Sequence, residues 1–373
     1  MSFQFPYFKT PDFSKEKYKN FPDVQTKICE KDGVCPGNFY MTSHRPIYYK
    51  INGEFHLPEI SSLNCCCVIK DNEAIITELH DVKKGDLVVQ GDLEDGSQGI
   101  YTYPDGDPDL YKKHPSRVES SFTEKYRLLY DLMEYEKNNG GKIIWVMGPS
   151  VIFDYDSRNI LSSLAKEGYI HGLLGGNAVA THDLEGGYLN TALGQNIYTQ
   201  ESVPLGHYHH LDLLNEVRRE GSISSFIEKG HVKNGLMKIL DEKNIPFALA
   251  GSVRDDGPLP EVHGNIYDSI AETKEITKDA GLILCLATIL HSVSTANLAS
   301  SYRKEKDGKV RPVFLYTVDI HENIVHKVAD SREGFATYTM VTNVQDFLTN
   351  IHHELIGPLD PPDPSFFDKE VKS

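Results

Sequence analysis

The sequence predicts an α/β protein in which a doubly wound parallel sheet follows a smaller β-rich domain. Two observations carry that prediction. From about residue 119, continuous apolar runs alternate with amphipathic helical stretches. Before about residue 118, short apolar runs are cut by turn residues and show no helical period. At 373 residues the chain is long enough for two domains with separate cores. The expected division is a β-rich domain over 1–118, an α/β domain over 119–357 and a flexible tail over 358–373.

In the first part the breakers are Asp32-Gly33, Pro36-Gly37-Asn38, Asn52-Gly53, Lys84-Gly85-Asp86 and Tyr103-Pro104-Asp105-Gly106. Between them CCCVIKD and DLVVQGDL read as strands, and the polar stretch 104–118 reads as a linker. Thr123-Glu124 then opens a helix with apolar Tyr126, Leu129, Leu132, Met133 and Tyr135, closed by Gly140-Gly141. KIIWVMG follows as a strand buried on both faces, then a helix near 157–167, the strand YIHGLLGG and a helix opening near Ala178. Further strands read at PFALAGS, GLILCLA, PVFLYTVDI and FATYTMV. Strands alternating with helices imply right-handed crossovers and a parallel sheet. The tail GPLDPPDPSFFDKEVKS carries four prolines and is expected to stay loose.

Composition excludes several classes. A formal net charge of −16 without a basic stripe argues against nucleic acid. No apolar run approaches the roughly 18 residues that span a bilayer. MSFQFPYFKTPDF lacks the basic and apolar segments of a signal peptide, and the six cysteines have no CxxC spacing, so a reducing, cytoplasmic setting is expected.

In an open parallel sheet, ligands bind beyond the carboxyl ends of the strands, so the residues following each strand matter most. They are Gly148-Pro149-Ser150, Gly175-Gly176-Asn177-Ala178, Gly251 through Pro258, Thr288-Ile289-Leu290-His291, Asp319-Ile320-His321 and Thr342-Asn343-Val344. Glycines at a strand-to-helix turn let the backbone approach a pyrophosphate, and a helix N-terminus favours its charge. Asp319, closing a strand, suits ribose hydroxyls or, alternatively, a helix cap. Together these point to a nucleotide site, although neither GxGxxG nor GxxxxGK[ST] is present. Gly206-His207-Tyr208-His209-His210, with Asp212 nearby, could bind an anion, pack an interface or hold a metal; the spacing is not that of HExxH, and no metal is assigned. Cys65-Cys66-Cys67 reads as buried, inert thiols in a strand, a reactive thiol being the alternative.

GGNAVATHDLE, GHYHHLDLLNEVRREGSI, PFALAGSVRDDGPLPEV and LCLATILHS resemble the archaeal-type ornithine cyclodeaminases and, equally, the C-terminal module of the two-part arginine dihydrolases. The likeness extends upstream through GNFYMTSHRPIYYKINGEF and VKKGDLVV. It implies a C-terminal domain folded like the NAD-binding core of deoxyhypusine synthase and a tightly held NAD, reduced and reoxidised within one turnover. Ornithine would lose hydride from Cα to give an imine, its δ-amino group would close the ring with loss of ammonia, and the cyclic imine would regain hydride as proline. By this resemblance Asn177, Ala178, Asp256, Thr288, Ile289, Leu290, His291, Asp319, Asn343 and Val344 line the NAD. His182 or Asp183 serves as base, Arg254 takes the substrate carboxylate, and His207 and Cys65 line the substrate pocket.

The expected partner is a small amino acid, and the family analogy suggests a homo-oligomer, a tetramer first. An amino-acid or opine-type dehydrogenase and a non-catalytic NAD-binding regulator remain as alternative readings. The chain departs from the pattern at Ser150 through Asp154, at its three consecutive cysteines and in the polar insertion at 302–310. Phe153 and Asp154, if they reach the pocket, would point to a substrate other than ornithine.

Overall fold

Turn residues organise the N-terminal strands as the sequence anticipates. Asn52 and Gly53, at φ 51° and 85°, join Ile47–Ile51 to Glu54–His56 in the two-residue turn that matches strand twist. Asp71 and Asn72, at φ 52° and 65°, do the same between Cys66–Lys70 and Glu73–Thr77, a turn that sequence reading does not single out. The computed structural model describes residues 3–103 and 123–359; the expected linker, the domain boundary near 118 and most of the tail lie outside them.

The described residues form two units. The first contains 3–103 together with Val293–Leu315 and His326–Thr339. It therefore takes two segments from the C-terminal half, among them the 302–310 insertion, whose ends form an antiparallel pair, Tyr302–Lys304 with Val310–Pro312. Its four-stranded sheet runs Gln25–Ile28, Leu87–Gln90, Cys66–Lys70, Glu73–Thr77; its three-stranded sheet runs Glu54–His56, Ile47–Ile51, Ile100–Thr102. Strand alternation sends neighbouring cysteines to opposite faces. Cys67 packs with Tyr40, Tyr49 and Val89, whereas Cys66 packs with Cys29, Val68 and Val88. Burial pushes both thiols well above their ordinary range, as suits packing residues.

His44 in this unit is fully buried. Burial, and then the positive charge of Arg332, push it down to about 3. The unfolded chain keeps an ordinary histidine, so between about pH 6.5 and 3 it binds a proton that the folded chain refuses. Stability is complete above the upper limit and falls as pH falls. Acidification from pH 7 to 5 should cost this unit about 2 kcal/mol through His44 alone. Urea unfolding at the two pH values checks this: His44→Leu should reduce the difference, and an unchanged pH dependence would contradict the assignment.

The large sheet has seven parallel strands in the order Val262–His263, Phe247–Ala250, Gly172–Gly176, Lys142–Met147, Ala280–Leu286, Phe314–Asp319, Thr337–Val341. Chain order thus runs outward in both directions from the central pair, Lys142–Met147 and Ala280–Leu286. Five of six residues in the first strand and all seven in the second are buried, as in a sheet covered on both faces. Their carboxyl ends form the switch point, where such sheets leave a crevice. Backbones pass very close there. Gly148 N–H donates to Leu286 O at 2.9 Å, and a Cβ on Gly148 would lie 2.1 Å from Ala287 O, so only glycine fits. Among the described residues no helix is long and apolar enough to cross a membrane.

Candidate cofactor and active site

Beside the switch point, the strand Gly172–Gly176 runs without an intervening loop into the helix Asn177–Leu189. Gly176 stands at the N-cap in extended conformation, with no side chain over the first turn. A Cβ there would meet His291 Nε2 at 3.1 Å, and one on Gly175 would meet Met147 O at 3.1 Å. The two glycines thus leave a cradle at a helix N-terminus, facing His291 from the neighbouring turn. Burial holds the His291 ring below its usual range. A cradle of this kind, rimmed by backbone N–H groups, fits the pyrophosphate of a dinucleotide.

The other expected cofactor residues divide into those that build the rim and those that face outward. Asn177 is buried, and its Oδ1 accepts the Leu259 N–H at 3.0 Å, tying the 251–260 loop to the helix start. On that loop Asp256 lies 3.4 Å from His210 Nε2 with an exposed carboxylate, and Arg254 is exposed. Asp319 is buried at its strand end, with Oδ1 accepting the His321 N–H at 2.9 Å; one oxygen thus serves the turn. Asn343 caps the helix Val344–Leu355, its Oδ1 taking the N–H groups of Gln345 and Asp346. Ala178 and Thr288 are half-buried, whereas Ile289 and Leu290 are exposed.

Five residues past its start, the same helix carries His182, whose Nδ1 lies 2.8 Å from Glu185 Oε2. Glu185 has no exposed surface. With Glu185 as a carboxylate, which can only accept, the 2.8 Å contact requires the proton on Nδ1 and leaves Nε2 as the ring's acceptor. The Leu193 N–H also approaches Nδ1, at 3.4 Å, too far to displace the shorter contact. Phe153 packs edge-on against the imidazole, with ring centroids 5.4 Å apart.

Asp183, its neighbour, is engaged elsewhere. Its Oδ1 takes Arg158 Nε at 3.0 Å, its Oδ2 takes the Met237 N–H at 2.7 Å, and both charged side chains are fully buried. Arg158 also reaches Asn234 Oδ1 at 3.0 Å. Room for the guanidinium comes from Gly186, where a Cβ would lie 2.7 Å from Arg158 Cζ. Both Asp183 oxygens are consumed by folding contacts, so its geometry suits a structural ion pair rather than a base.

Asp154 likewise turns inward to its own backbone. It caps the helix Tyr155–Lys166 through Ser157 N–H, and its second oxygen takes Gln345 Nε2 at 3.3 Å. His207 is exposed and packed against Tyr208. Cys65 belongs to the first unit, on a cavity of about 250 Å³ lined also by Asn64, Glu78, His80 and Asn297. Glu78, His80 and Asp81 there bring one ligand atom each within 4.8 Å of one another; among the described residues, the 207–210 histidines form no such group.

Residues 128–351 match the family described as arginine dihydrolase ArgZ-like, C-terminal, Rossmann fold. The chain belongs to that family. Among ArgZ-like relatives, the ornithine cyclodeaminase of Methanopyrus kandleri is 34% identical over 89% of this chain and 78% of its own length. That of Archaeoglobus fulgidus is 35% identical over 90% and 81%. The bifunctional arginine dihydrolase/ornithine cyclodeaminase ArgZ of Synechocystis is 32% identical, and the match covers 89% of this chain and 47% of ArgZ. A solved LOR/SDH protein from Methanococcus maripaludis superposes with a TM-score of 0.77 at 30% identity, covering 90% of this chain and 98% of that one. A ternary complex of AgrE with ornithine and NAD+ superposes at 0.55 and 29%, covering 90% and 46%.

Within this ArgZ-like domain, sequence reading missed the groups that brace His182 and Asp154. Glu185 stands three residues further on one helix, a spacing that could have been noticed. Thr191, which donates to Glu185 Oε1 at 2.8 Å, and Gln345, which donates to Ser150 O at 3.1 Å, have no local signal.

Proposed function

We propose that the protein is an NAD-dependent ornithine cyclodeaminase, converting L-ornithine to L-proline and ammonia. One observation carries the reading: the glycine cradle and an oriented histidine base share one helix. Five helical residues rise about 7.5 Å, a spacing suited to a reactive ring and the substrate beside it. The names of the archaeal relatives, and the AgrE complex with ornithine and NAD+, support the same chemistry.

When bound, NAD would take up a hydride from Cα and return it after ring closure. Every other task falls to the chain. Gly176 and the first turn of the Asn177–Leu189 helix would hold the phosphates, and Asn177 ties the loop that carries Asp256 and Arg254 to that turn. Asp319, buried at its strand end, would offer its carboxylate to the ribose hydroxyls. His182 Nε2 takes the proton from the substrate ammonium, and the buried Glu185 carboxylate stabilises the resulting imidazolium. Phe153 keeps water from one side of the ring. Arg254 offers a two-pronged grip on the substrate carboxylate. Asp154 is spent on capping and does not demand a substrate other than ornithine.

The test uses purified protein with ornithine and no added NAD. Ammonia and proline should form together, and denaturation should release a nicotinamide cofactor visible by its absorbance. NADH building up with a 2-oxo acid would mark a dehydrogenase instead, and a bound cofactor without turnover of ornithine would refute the assignment.

A further inference from the structure

The chemistry proposed above leaves the histidine-rich turn at 207–210 unused. Its second histidine meets the base through a chain of three contacts, the outer one part-buried and the inner two buried. His209 Nδ1 lies 2.7 Å from Thr191 Oγ1, Thr191 Oγ1 lies 2.8 Å from Glu185 Oε1, and Glu185 Oε2 lies 2.8 Å from His182 Nδ1. The Gly194 N–H adds a further contact to Glu185 Oε1 at 3.2 Å.

Proton counting gives this chain one direction. Glu185, as a carboxylate, donates nothing, so the single Thr191 proton must point at it. The Thr191 oxygen is then an acceptor, and His209 must present Nδ1–H to it. The loop between these residues is folded tightly enough to hold them. Gly194, at φ 73°, packs on Gly206 so closely that a Cβ would lie 2.4 Å from the Gly206 carbonyl carbon.

We infer that His209, Thr191 and Glu185 form a one-way hydrogen-bond relay that locks the tautomer of His182, so that the 207–210 turn positions the base without touching substrate. The inference rests on His182 being the base. Glu185 and Thr191 are positioning residues, and His209 is the outer anchor that fixes the threonine hydroxyl. With Thr191 unable to donate, the buried carboxylate loses a partner and swings between its remaining donors, and the imidazole loses its fixed orientation.

The experiment combines nitrogen-15 NMR of the histidine rings with ornithine turnover in the full-length protein. The His182 signals are assigned by their loss in His182→Asn. The unsubstituted protein should show His182 protonated on Nδ1. In Glu185→Gln the carboxamide can donate to that nitrogen, so the proton should move to Nε2 and turnover should fall by about 10²-fold or more. Thr191→Val should give a mixture of tautomers and lower kcat by about 10-fold to 100-fold, with KM changed far less. Thr191→Ser, which keeps the hydroxyl, should restore both. His209→Ala lies at a half-buried position and should reproduce the valine variant if Thr191→Val fails to fold. An Nε2-protonated His182 in the unsubstituted protein would overturn the relay. So would a Thr191→Val or His209→Ala protein with unchanged tautomer and kcat. If ornithine is not turned over at all, the functional reading fails, while the tautomer measurement still decides the relay.

Discussion

Replacing His182 with asparagine should lower ornithine turnover by about 10²-fold to 10⁴-fold, the range that a positioned acid–base group supplies. Cofactor retention should stay unchanged, because the cradle at Gly176 and His291 lies at the helix start and does not use the His182 ring. Asparagine keeps a polar group beside Glu185 but cannot take up and return a proton. Steady-state kinetics and cofactor released per protein separate the two effects. Loss of cofactor together with turnover would mean that His182 shapes the cradle, and unchanged turnover would remove it from the chemistry.

Asp183→Asn should do the opposite, destabilising the fold by about 3–5 kcal/mol, as when one partner of a buried ion pair is removed. The carboxamide cannot accept from Arg158 and Met237 through two charged oxygens, so the fully buried guanidinium loses its counter-charge. A paired replacement, Arg158→Met with Asp183→Leu, should recover part of the loss because no charge is then buried alone. Thermal and urea unfolding of the two variants beside the unsubstituted protein check this. A single variant as stable as the unsubstituted protein would show that the pair does not hold this part of the fold.

The contrast between these adjacent residues shows where sequence reading stops. His182-Asp183 both follow the glycine turn, and composition ranks neither above the other. A helix rotates about 100° per residue, so neighbours face different surroundings. One meets a carboxylate on its own helix; the other meets Arg158, which is supplied from 25 positions upstream. The strand ends were legible because buried runs in KIIWV and LILCL and the glycines after them are local patterns. Thr191, His209 and Gln345 act through contacts across loops that leave no periodic trace. The same limit explains the two C-terminal segments taken up by the first unit, since their texture resembles that of the strands and helices around them.

The central claim is a redox cycle that begins and ends on the same carbon. Ornithine carrying deuterium at Cα, incubated with the purified protein in ordinary water without added NAD, tests it most directly. Proline should retain the label at Cα and form together with ammonia. Proline in which Cα carries hydrogen from water, or a product released alongside reduced cofactor, would contradict it.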